Sequence, residues 1–218
     1  MPDLPGPTLV IFDCDGVLVD SERLSHEVLR QMLAEQGVHL TLEQTFERFM
    51  GSSDARTLDL LDSLLGGAAP AGFMPEFVRR SLEAFGESLA PVPGVPALLA
   101  TLRWPCCVAS NGPREKMRFT LGHTGLLPRF EGRLFSAQDV RLPKPAPDLF
   151  LHAARSLGAQ ARHCVVVEDS ATGVTAARAA GMRVLGYAAM GQADKLRRAG
   201  ADVVFSNMAE LPALLPST

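Results

Sequence analysis

Short, unbroken apolar runs alternate along this chain with longer stretches of helical spacing, and that alternation restricts the possible folds most. The runs are Thr8–Phe12, Cys106–Ser110, Cys164–Glu168, Arg183–Tyr187 and Asp202–Phe205, with a weaker one at Arg133–Phe135. They are rich in β-branched residues and continuous rather than alternating with polar ones, the pattern of strands buried on both faces of a parallel sheet. The intervening segments are punctuated as helices. Pro147–Leu157 has a proline near its first turn and Gly158 as its stop, while Ser170–Ala180 has an N-cap serine and Gly181 behind it. Strand–helix–strand repetition of this kind predicts an α/β fold built on a doubly wound parallel sheet.

One stretch breaks the alternation. Between Ser21 and Ser88 no strand pattern stands out, and SERLSHEVLRQMLAEQG, TLEQTFERFM, DARTLDLLDSLL and PEFVRRSLEAF all carry helical apolar spacing. A block of that size is too long for an ordinary strand-to-helix loop. It is expected to be an inserted all-α cap domain at 20–88, with 1–19 and 89–218 forming the α/β core. The Pro/Gly cluster APVPGVP at 90–96 marks the return to the core. A chain of 218 residues has room for both.

Composition removes several function classes. The net charge of −3 provides no basic field for nucleic acid or an anionic membrane, and an aromatic content of 6% leaves little for base stacking. The cysteines, Cys14, Cys106, Cys107 and Cys164, form no CxxC pair and read as buried thiols of a reducing compartment. The histidines, scattered at 26, 39, 123, 152 and 163, show no zinc-ligand spacing. MPDLPGPTLVIFDCDG lacks a basic leader and a long apolar stretch, so the expected location is the cytoplasm.

Polar residues that can carry chemistry gather at the predicted strand ends. Asp13-Cys14-Asp15-Gly16-Val17 follows the first run, where open α/β sheets place their ligands. Two carboxylates about 4 Å apart repel by roughly 4 kcal/mol at an effective dielectric of 20, which a divalent cation would offset. Taken alone, the motif is equally a solvated acidic loop. Glu168-Asp169 ends a second run, and pairing of neighbouring strands would bring it beside Asp13 and Asp15. Together these acids would make an oxygen-only site suited to Mg²⁺; separately, Glu168-Asp169 is as well explained as an acidic helix start. Ser110-Asn111-Gly112 offers a hydroxyl, an amide and backbone N–H groups to phosphate, and the prolines around Lys144 stiffen the turn that aims it.

These four groups, in this order and spacing, resemble the four motifs of the haloacid dehalogenase superfamily. FDCDGVLVDSE, KPAPDLF and VVVEDSATGVTAARAAGM are similar to the branch with a helical cap after the first motif, which contains sugar-phosphate phosphatases and β-phosphoglucomutase. The resemblance implies that Asp13 is a nucleophile forming an aspartyl-phosphate and that Asp15 is the acid and then the base. It implies Mg²⁺ held by Asp13, Asp15 through its backbone carbonyl, Asp169, and Glu168 directly or through water. Ser110, Asn111 and Lys144 would hold the transferred phosphoryl oxygens.

Asp15 separates the branches. True dehalogenases and phosphonatases lack an acid at that position, so the resemblance implies phosphate-ester chemistry. Phosphatase is preferred to mutase because the His and Arg that serve the mutase fall, by register, at Ser25 and Asp54, with His26 and Arg56 only as neighbours. The expected substrate is a small phosphorylated metabolite, a sugar or sugar-acid phosphate. A mutase-like phosphoryl-transfer isomerase is the alternative, and a non-catalytic phosphometabolite-binding relative a weaker one. Arg48, Gly51, Ser52 and Arg56 surround a turn that resembles the family's substrate loop, though each taken singly reads more readily as a solvated surface residue. Asp20, Ser21 and Glu22 mark the entry to the cap, where Asp20 could simply cap the helix. A monomer is expected, with a homodimer as the other option.

Overall fold

The computed structural model describes residues 8–50 and 54–215. Among them, the strands are β1 (Leu9–Phe12), β2 (Cys106–Ser110), β3 (Leu134–Ser136), β4 (Cys164–Glu168), β5 (Arg183–Tyr187) and β6 (Val203–Phe205). The helices are α1 (Ser21–Glu35), α2 (Leu42–Phe49), α3 (Asp54–Leu65), α4 (Phe73–Ser88), α5 (Val95–Thr101), α6 (Arg114–His123), α7 (Leu127–Phe130), α8 (Asp148–Ser156), α9 (Ala171–Ala179), α10 (Ala193–Ala199) and α11 (Leu211–Leu214). The chain divides into two compact units, one ending at Val19 and resuming at Ala90, the other spanning Asp20–Leu89.

In the first unit the six strands form one sheet in the order β3-β2-β1-β4-β5-β6, with every paired strand parallel. β1 pairs on both sides, with β2 through Val10–Cys106 and with β4 through Phe12–Val167. The strands are buried on both faces, which is why their sequences read as continuous apolar runs. One face packs Leu9, Ile11, Cys107 and Val166 against Leu149, Phe150, Ala153, Val174 and Ala177 of α8 and α9. On another packed layer the rings of Phe12 and Phe130 meet edge to face at 6.4 Å. The small residues of α9 let that helix lie close to the sheet, and Ser170 caps it by accepting from the Gly173 N–H. All four cysteines are free and buried. α6 and α10 carry no sequence pattern noted above, since most of their residues are polar or charged.

The second unit is all helical among its described residues. α1 places Val28, Leu29, Met32 and Leu33 on one stripe, against Phe49, Leu61 and Phe73 from α2, α3 and α4. Thr41 opens α2 with a capping box shared with Gln44. Asp20 does not cap α1: its carboxylate accepts from Arg23 Nε at 2.6 Å instead. No helix among the described residues is long and apolar enough to cross a membrane.

Candidate active site

The parallel ladder places the first acid. β1 ends at Phe12, yet the Asp13 N–H still donates to the Val167 carbonyl at 3.0 Å, holding Asp13 at the carboxyl edge of the sheet's interior. Gly16 then takes φ 74°, a conformation costly for any residue with a Cβ, and its N–H donates to the Val19 carbonyl at 2.9 Å. The chain thus turns tightly past Asp15. Because Phe12 pairs with Val167, Glu168 at the end of β4 and Asp169 just after it follow at the same edge of the sheet. Asp13, Glu168 and Asp169 are all buried.

Lys144 reaches the same place from a distant segment. Its buried ammonium donates to Asp13 Oδ1 and to Glu168 Oε1, each at 2.6 Å, and lies 4.7 Å from the centre of the Phe150 ring. Burial raises the Asp13 carboxyl, the Lys144 charge works against that rise, and the Glu168 and Asp15 charges add to it, leaving the group at about 7. Burial also disfavours the Lys144 ammonium, but the two carboxylates outweigh that and hold it above its usual range. Cys14, between the two aspartates, stays a neutral thiol, because burial and the charges of Asp15 and Asp13 push it well up.

Glu168, expected to hold the metal directly or through water, has both carboxylate oxygens engaged within the protein. Its Oε1 accepts from Lys144, and its Oε2 accepts from the Ser170 N–H at 2.9 Å and the Ser170 hydroxyl at 2.8 Å. The Asn111 side chain, expected beside the phosphate, bonds the backbone of Lys144. Its Nδ2 donates to the Lys144 carbonyl at 3.1 Å and its Oδ1 accepts from the Lys144 N–H at 3.0 Å, so it clamps the lysine backbone. Ser110 is buried at the end of β2, its Oγ accepting from the Gly112 N–H at 3.1 Å.

Sequence reading missed Lys116. From the first turn of α6 its Nζ donates to Asp15 Oδ2 at 2.9 Å. Nothing in NGPREKM sets that lysine apart from a surface residue; only the packing of α6 beside the Asp15 turn does. Ser136 was missed too; its buried hydroxyl donates to the Gly112 carbonyl at 2.7 Å and steadies the loop after β2.

In the helical unit, Arg56 lies exposed in the first turn of α3, and Gly51 and Ser52 fall outside the described residues. His26 is buried within that unit. Its ring stacks on Phe46 at 4.2 Å, its Nδ1 meets the Glu22 carbonyl at 2.8 Å, and burial lowers its pKa.

Among the described residues no three His, Cys, Asp or Glu side chains are grouped to hold a metal by themselves. The Asp13 and Asp169 carboxylates and the backbone carbonyl of Asp15 would supply oxygen ligands for Mg²⁺, with Glu168 reaching it through water. A hard cation held by one or two carboxylates, completed by waters and a substrate phosphate, is the usual Mg²⁺ arrangement. Charge agrees in sign: the acids of the site outnumber its two ammonium groups, Lys116 and Lys144, and a divalent cation would favour their ionised forms.

Carboxylates and a buried lysine gathered at the carboxyl ends of a doubly wound parallel sheet define an α/β enzyme with its ligand site at the strand ends. The family profile of haloacid dehalogenase-like hydrolases matches residues 7–181. The 6-phosphogluconate phosphatase of Escherichia coli K12 is 37% identical over 182 residues, covering 83% of this chain and 82% of that protein. Among solved structures, a conserved haloacid dehalogenase-like protein from Agrobacterium tumefaciens superposes with a TM-score of 0.90 at 36% identity, covering 96% of this chain and 97% of the other. A HAD family hydrolase from Deinococcus radiodurans, solved with bound phosphate and sodium, superposes with a TM-score of 0.85 at 32% identity, covering 96% and 95%. The chain belongs to the haloacid dehalogenase-like hydrolase family, and within it to the phosphatase type.

Proposed function

We propose that this enzyme hydrolyses a small phosphorylated metabolite, a sugar or sugar-acid phosphate, through a phosphoryl group carried on Asp13. The observation that carries the reading is the buried Lys144 ammonium 2.6 Å from Asp13 Oδ1, with Asp15 two residues further on at the same strand end. An Asp13 oxygen attacks phosphorus in line with the ester oxygen. The new O–P bond forms as the bond to the leaving group breaks, and Asp15 gives its proton to the departing alkoxide. Asp15, now ionised, takes a proton from water as that water attacks the aspartyl-phosphate, releasing inorganic phosphate and restoring Asp13. Lys144 and the Ser110 hydroxyl, with backbone N–H groups of the loop after β2, offset charge on the phosphoryl oxygens.

Mg²⁺ held by Asp13, Asp169 and the Asp15 carbonyl would supply electrostatic polarisation of the phosphoryl group. The helical unit at 20–89 carries none of the four motifs and is assigned the choice of substrate. The relative that acts on 6-phosphogluconate supports a sugar-acid phosphate as the first candidate. His26, buried against Phe46, gives no support to a mutase-like role for the first helix.

The test is phosphate release with Mg²⁺ from hexose, pentose and sugar-acid phosphates, including 6-phosphogluconate and β-glucose 1-phosphate. Release that disappears in Asp13→Asn is expected. Release that survives that substitution would remove the nucleophile. Glucose 6-phosphate appearing from glucose 1-phosphate without free phosphate would make the enzyme a mutase.

A further inference from the structure

Gly173 stands in the first turn of α9 with no backbone reason to be glycine, since its φ lies outside the left-handed region. Alanine is the better helix former at such a position. The reason for glycine is a side chain from elsewhere. A Cβ built on Gly173 would lie 1.8 Å from Glu168 Oε1, 2.0 Å from its Cδ and 2.5 Å from its Oε2. At Gly94 and Gly186 the corresponding nearest approach is 3.2 Å, which small shifts absorb.

The carboxylate that occupies this space cannot simply swing aside. Glu168 is 1% exposed, and both its oxygens are engaged, one by Lys144 and the other by the N–H and hydroxyl of Ser170. The Ser170 hydroxyl in turn accepts from the Gly173 N–H at 3.0 Å, so the carboxylate at the end of β4 is folded over the start of the helix that follows, α9. The oxygen nearest the missing Cβ is the one that holds Lys144, and the same ammonium contacts Asp13.

We propose that Gly173 is a positioning residue: the empty space at its Cα lets the Glu168 carboxylate lie against α9 and so fixes the Lys144 ammonium against Asp13. A methyl group there displaces a side-chain end rather than backbone, so the chain still folds while the lysine loses its aim. Misplacement of a catalytic group by about 1 Å costs roughly 10²-fold in rate.

The experiment compares wild type, Gly173→Ala, Glu168→Asp and the double variant, reading kcat/KM for phosphate release and the thermal midpoint. Its activity arm rests on the proposed phosphatase reading; its thermal arm does not. Gly173→Ala alone is expected to lose about 10²-fold in kcat/KM and to melt lower. Glu168→Asp withdraws the carboxylate by one methylene from the path of the methyl group. In that background Gly173→Ala is expected to cost less than about threefold and to raise the midpoint, as helix propensity dictates. Effects that multiply in kcat/KM, or a midpoint that moves in the same direction in both backgrounds, would overturn the proposal. Should Gly173→Ala fail to fold, a folded double variant supports the proposal and an unfolded one overturns it. A wild type that releases no phosphate from any ester refutes the function, and the sign reversal in melting then still decides the role of Gly173.

Discussion

Replacing Lys144 with methionine keeps the unbranched stem, one atom shorter, and removes the ammonium that Asp13 and Glu168 share. At 2.6 Å and an effective dielectric of 20, each contact is worth about 6 kcal/mol of gross Coulomb attraction, largely offset by the desolvation of all three groups. What the substitution exposes is the second half of that balance: two carboxylates, 8% and 1% exposed, left buried with no cation between them. Breaking a buried pair from one side costs about 3–5 kcal/mol, which for a chain of this size lowers the melting midpoint by roughly 10 °C. Activity should fall by at least about 10²-fold, since charge on the phosphoryl oxygens is no longer offset. The two losses are separable. Adding Asp13→Asn and Glu168→Gln to Lys144→Met removes the stranded charges, so the midpoint should recover most of its loss while activity stays absent. The assay is thermal or urea unfolding beside phosphate release for the single and triple variants. A Lys144→Met protein as stable as wild type, or a triple variant no more stable than the single one, would refute the reasoning about the buried triad.

Three further outcomes follow from the same geometry. In metal-free protein the Asp13 carboxyl sits at about 7, above its unfolded value near 4, so the stability it contributes is complete below about pH 4 and lost as pH rises through about 7. The midpoint of metal-free protein should therefore fall between about pH 5 and pH 8, and Mg²⁺ should raise it more at the higher pH; an equal rise at both would refute the link between that burden and the cation. Lys116→Met, which removes the ammonium that positions Asp15 Oδ2, should lower kcat/KM for an alkyl phosphate by about tenfold or more but that for p-nitrophenyl phosphate by less than about threefold, because p-nitrophenolate needs no proton to leave; equal losses would detach Lys116 from the acid. Asn111→Ala removes two hydrogen bonds to the Lys144 backbone and should cost about 1–3 kcal/mol in urea unfolding, with a smaller fall in activity than Lys144→Met; an unchanged midpoint would show that the clamp is dispensable.

The architecture was readable because it is written in short local patterns. A strand buried on both faces needs an unbroken apolar run, and each of β1 to β6 overlaps one of the runs found by pattern. The helix starts at Thr41 and Ser170 were readable for a similar reason, as both are caps whose partners lie three residues on. α6 and α10 were not, since most of their side chains are polar or charged and little period survives. Of the site, Asp13, Asp15, Lys144 and the Glu168-Asp169 pair could be named from residue type and position at strand ends. What each side chain touches could not. The contact of Asn111 with the Lys144 backbone, the contact of Glu168 with the Lys144 ammonium and the whole of the Lys116 contact carried no sequence signal.

Local period, turn residues and chemical type act over a few positions of the chain, and they were enough for the sheet, the helical segment inserted after β1, the acids at the strand ends and the lysine of the loop before α8. How the charges are divided was not legible in this way. Lys144 meets Asp13 across 131 positions and Lys116 meets Asp15 across 101, and such pairings depend on strand order and helix packing. The direction of Glu168 depends on something subtler still, a missing methyl group on the neighbouring helix. Side-chain direction inside a close-packed interior is set by which volumes are already filled, and that is a property of the assembled fold rather than of any segment of the chain.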